Sequence, residues 1–62
     1  MSDKLDALLE RLKAHQRTLI LAMAEHDGLP AHSAIRQVAE LENVIAAVEA
    51  VASEEADRKR RG

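Results

Sequence analysis

Two runs of apolar residues, each recurring in steps of three and four, are separated by a single break, His26-Asp27-Gly28-Leu29-Pro30. This pattern restricts the chain to two amphipathic helices that must bury their stripes against each other or against another copy. A glycine can take the left-handed position after a helix, and a proline suits the first turn of the next one. The break therefore predicts helix 1 over about 3–27, a turn over 27–30 and helix 2 over about 30–58, followed by a basic end at 58–62. Ser2 or Asp3 is expected to cap the first helix, and Ser33 is an alternative cap for the second. The expected fold is all-α, one domain over 1–62, an antiparallel helical hairpin. Twelve alanines and eight leucines suit helix almost throughout.

Heptad lettering sharpens this reading. Leu9, Gln16 and Met23 fall at a in the first half, with Leu5, Leu12 and Leu19 at d. In the second half Val38, Ile45 and Ala52 fall at a, with Leu41 and Val48 at d. The short connection makes the two helices antiparallel neighbours. The e flank then pairs Ile20 with Ile35, Lys13 with Glu42 and, less favourably, Asp6 with Glu49. The g flank pairs Leu8 with Val51, His15 with Val44 and Ala22 with Gln37. That second flank is largely apolar and would face water in a lone hairpin. On helix 2 the apolar residues spread over about 200°, wider than one partner helix covers.

Burial and chain entropy point the same way. A compact chain of 6.8 kDa buries roughly 6,000 Å², about half of it apolar, which contributes about 75 kcal/mol. Ordering about 55 residues costs roughly 80 kcal/mol. A lone hairpin is less compact than the globule assumed, so a homodimer joined through Leu8, His15, Ala22, Gln37, Val44 and Val51 into an antiparallel four-helix bundle is expected. In length and plan such a pair of hairpins resembles the ROP-type dimeric bundle. That likeness is one of architecture, and architecture carries no function.

Several chemistries lose their footing in the same sequence. Without cysteine there is no disulfide, thiolate metal cage or thiol nucleophile. Ser2, Ser33 and Ser53 read as caps or surface positions, and no glycine-rich loop exists to hold a phosphate. The chain has no aromatic residue from which to build a substrate pocket. Glu25, His26, Asp27 and His32 are competent metal ligands, yet their spacing matches no metal-binding pattern. No catalytic residue, cofactor or metal is expected. No stretch is long and apolar enough for a membrane span, and the start of the chain lacks the pattern of a secretory signal, so the expected location is the cytoplasm.

Polar residues at special places carry the remaining signals. Gln16 interrupts the apolar stripe of helix 1, where an amide either fixes register and oligomer state or lies on a wetted flank. His15 beside it would make a pH-sensitive contact on the dimer flank, or simply a half-exposed histidine. Charge is uneven: residues 1–29 sum to -1, residues 30–57 to -5, and Arg58, Lys59, Arg60 and Arg61 to +4. That basic end, aided by Arg11 and Arg17, could grip the phosphates of RNA or DNA. The plainer account is a helix end whose cations suit the dipole and pair with Glu54, Glu55 and Asp57 four residues earlier. Leu21 lies opposite the main stripe near Ala7 and Ala14, either as a singly exposed leucine or as a seat for a partner helix. The expectation is a non-enzymatic homodimeric adaptor or regulator that binds another protein, with nucleic-acid binding as the competing reading.

Overall fold

The computed structural model describes residues 2–61, with side chains described from 4 to 60. Two helices, α1 (Ser2–Ala24) and α2 (His32–Arg61), pack against each other as a helical hairpin. The result is a rod of 52 × 16 × 11 Å. Heptad periodicity dictates which residues meet. Among the helical residues with described side chains, every a and d position from Leu5 to Glu55 is at least partly buried, and Leu8 is the one other position that joins them. Ile45, at 5% exposed, is the most deeply buried of them. It sits near the middle of α2, where α1 continues in both directions and shields it most completely.

The reversal differs from the expected turn. Helix α1 stops at Ala24 rather than near 27, and α2 begins at His32 rather than 30, leaving a loop over residues 25–31. Gly28 has no positive φ, so it does not act as a left-handed helix terminator. Instead α1 tightens as it ends: the amide of Glu25 donates to the carbonyl of Ala22 and that of His26 to Met23, both at 3.3 Å. These three-residue closures satisfy carbonyls that the α-helical ladder leaves open. Without a left-handed residue to reverse it sharply, the chain needs more residues to cross between the helices.

Pro30 precedes α2 rather than occupying its first turn. Ala31 supplies the first helical carbonyl, accepting from the amides of Ala34 at 3.0 Å and Ile35 at 3.1 Å, so Ser33 lies inside the helix and is not its cap. At the far end α2 runs to Arg61, three residues beyond the expected end at 58. The side chains of Ser2 and Asp3, expected as caps of the first helix, lie outside those described.

Loss of the centre of the seam should be felt globally. Ile45→Ala is expected to lower the unfolding free energy by about 2–4 kcal/mol, whereas Leu21→Ala on the outer face should cost under about 1 kcal/mol, both measured by urea denaturation.

Candidate functional site

Gln16 is resolved by a single contact. Its Nε2 donates to Oε1 of Glu42 across the helix pair at 2.9 Å. The amide at the a position therefore reaches out of the seam to a carboxylate on the e flank, inside one chain. This bond occupies Glu42 and changes the pairing next to it. Lys13, expected opposite Glu42, instead meets Glu49 at 3.3 Å. That contact gives Glu49 an opposite charge where a like-charged Asp6 was expected. Both members of the Lys13–Glu49 pair are about half exposed, so it contributes at most about 1 kcal/mol and weakens with salt.

Among the described residues the opposite flank has no such polar closure. Val44 is 46% exposed and Val51 45%, while His15, Ala22 and Gln37 are also exposed. Leu8 alone among the six flank residues is partly covered. At the loop end the seam opens into a cleft of about 330 Å³ lined by Leu19, Ala22, Met23, His26, Pro30 and Ala34, among others. Ala22 contributes to the lining whereas Ile20 and Ile35 of the e flank do not, so the cleft belongs to the g side. Leu29 stands at its edge, 96% exposed. Leu29 was not singled out by the heptad pattern. Its signal is local, a large apolar residue held in a loop between glycine and proline.

Further apolar side chains lie on the other faces. Ile20 and Ile35 are about half exposed on the e flank, and Leu21 is 53% exposed next to Ile20.

The basic end is engaged with its own helix. Arg58 pairs with Glu55 at 3.2 Å, and Arg60 pairs with Asp57. These pairs are three residues apart rather than the four expected. Lys59 also has an interaction of its own, and the side chain of Arg61 lies outside those described. Arg11 and Arg17 are exposed on α1. Six residues of helix separate them, which turns their side chains about 120° apart around the axis, so they do not form one face with each other.

Thr18, an exposed hydroxyl on α1, donates to the carbonyl of Ala14 at 3.0 Å, an ordinary way for a helical threonine to satisfy itself. Among the described residues no group of three or more His, Asp or Glu side chains gathers as a metal-holding site. Glu25, His26, Asp27 and His32 all stay exposed around the loop. No described helix is long and apolar enough to cross a membrane. Comparison with known family models, curated proteins and solved structures finds no match for this chain.

The Gln16–Glu42 bond is exposed, so its loss leaves Glu42 hydrated rather than stranded. Gln16→Leu should accordingly raise stability by about 1 kcal/mol through added apolar burial. A urea titration checks the sign.

Proposed function

We propose that this chain is a non-enzymatic homodimeric helical module, two antiparallel hairpins joined through their g flanks into a four-helix bundle, that serves as a protein-interaction adaptor or regulator. The observation that carries this reading is the half-covered apolar flank, Val44 and Val51 at about half exposure beside a seam in which, among the described residues, only Ile45 is buried below a tenth exposed. Surface area supports it. The hairpin exposes 5087 Å², whereas a compact chain of its mass exposes about 4,000 Å². The excess, roughly 1,100 Å², is comparable to what each partner contributes to a stable interface of standard size.

With the g flanks joined, Ile20, Leu21 and Ile35 remain on the outside as the apolar surface offered to another protein. A cytoplasmic setting belongs to this reading. The ion pairs that hold Arg58 and Arg60 to their own helix favour the helix-end account of the basic residues over nucleic-acid binding.

Light scattering behind size exclusion, over a dilution series, is expected to give a mass near 14 kDa, about twice the chain. Val44→Asp should bring this down to the monomer mass or unfold the chain, because it places a charge at the centre of the flank. Lys13→Asp on the opposite flank should leave the mass unchanged and cost about 1 kcal/mol or less. A folded monomer for the native chain overturns the dimer. Duplex or RNA binding that falls steeply with salt and disappears on removing residues 58–61 overturns the adaptor reading in favour of a nucleic-acid binder.

A further inference from the structure

Two hairpins that meet along the g flank can do so in two senses, with their loops at the same end or at opposite ends. Resting on the dimer reading above, we infer that they pack in opposite senses, so that Leu8 of one copy fills the loop-end cleft of the other. The occupant of the cleft is a second copy of this chain.

The size pattern along the flank is the first ground. Its three layers run from Leu8 with Val51, through His15 with Val44, to Ala22 with Gln37. The first layer is bulky and apolar. The last pairs the polar Gln37 with a small residue, Ala22, that lines an open cleft of about 330 Å³. In a same-sense dimer each layer faces itself, so the two bulky layers collide and two clefts face each other empty. In the opposite sense the twofold axis passes through the His15–Val44 layer. Leu8 lies seven residues to one side of His15 and Ala22 seven to the other, so each is about 10 Å from the axis and Leu8 of one copy is level with Ala22 and the cleft of its partner, while Val51 lies level with Gln37. Large against small is the arrangement that packs to protein density.

Charge gives the second ground, independently. Arg58 is fourteen residues beyond Val44, about 21 Å along the helix. In the opposite sense this brings it level with the partner's loop, where Glu25 and Asp27 are exposed and form no ion pair among the described residues. Arg58 and Arg60, although paired with their own helix, keep side chains 78% exposed and so retain reach toward that loop. The same-sense alternative would set the two basic ends side by side and the two acidic loops side by side, which is repulsive at both.

The absence of cysteine makes the orientation directly measurable. Nothing lies within 4 Å of a Cβ built at Gly28, so Gly28→Cys accepts a spin label without disturbing the loop. Pulsed dipolar spectroscopy on the labelled chain, with its mass followed in parallel, should give an intermolecular distance of about 40 Å or more in the opposite sense. A distance under about 20 Å, as between neighbouring loops, overturns the orientation and leaves the dimer standing. A monomeric mass for the native chain overturns both.

A size swap tests the cleft itself. Ala22→Leu should weaken the dimer by about tenfold or more, and adding Leu8→Ala in the same chain should recover most of that loss, with circular dichroism reporting helix content separately. If the second change gives no recovery while the helices stay formed, Leu8 does not occupy the partner's cleft.

Discussion

Everything in this structure hangs on one seam. The a and d residues of α1 and α2 interleave along most of the rod, and only at Ile45 does that interleaving exclude water almost completely. Two helices can shield a line of side chains but cannot enclose a volume, since each residue on the line has solvent on at least one side. The partial burial of Leu5, Leu12, Leu19, Leu41 and Val48 follows directly from that geometry. It also explains why the flanks matter more here than in a larger protein. Residues that would be peripheral on a three-layer fold are the first available addition to the core.

The two flanks solve this problem differently. On one, Gln16 bonds to Glu42 and Lys13 pairs with Glu49, closing the edge with polar contacts within a single chain. Those contacts remain compatible with water and require no partner. The other edge presents two valines, an alanine and a leucine with His15 and Gln37 between them, and among the described residues it has no such polar closure. The asymmetry therefore separates a flank closed by polar contacts along its middle, with Ile20 and Ile35 still half exposed toward the loop, from a flank that lacks such closure, and it does so with residues of ordinary type. No unusual charge or strained backbone is involved.

Much of this was legible in the sequence because heptad spacing is a geometric statement. Once Leu9, Gln16, Ile45 and Ala52 share a letter, the seam and both flanks follow from helix pitch alone. The reversal was less legible. Gly28 and Pro30 permit a tight turn, but permission is not conformation, and with Gly28 at ordinary φ the helices end sooner and the loop is longer. The partner of Lys13 was hidden for another reason. Position-by-position pairing treats each side chain as having one candidate, whereas Gln16 competes for Glu42 and leaves Lys13 to find Glu49 two turns further along. The cleft beside Leu29 was only half legible, because Leu19, Ala22, Met23 and Ala34 line it from the helices whereas Leu29, Pro30 and Ala31 belong to the loop, which has no helical period.

The backbone at Gly28 has a consequence for how such a chain can diversify. Because its φ is ordinary and no atom lies within 4 Å of a built Cβ, the position does not demand glycine. The loop works as a tether, and a tether is judged by reach. Doubling the length of a flexible loop costs only about 0.6 kcal/mol in closure entropy. Exposed loop tips of this kind are where insertions are best tolerated. A lineage carrying this hairpin could therefore lengthen the loop, or splice a second module into it, while the seam that holds the helices together stays untouched.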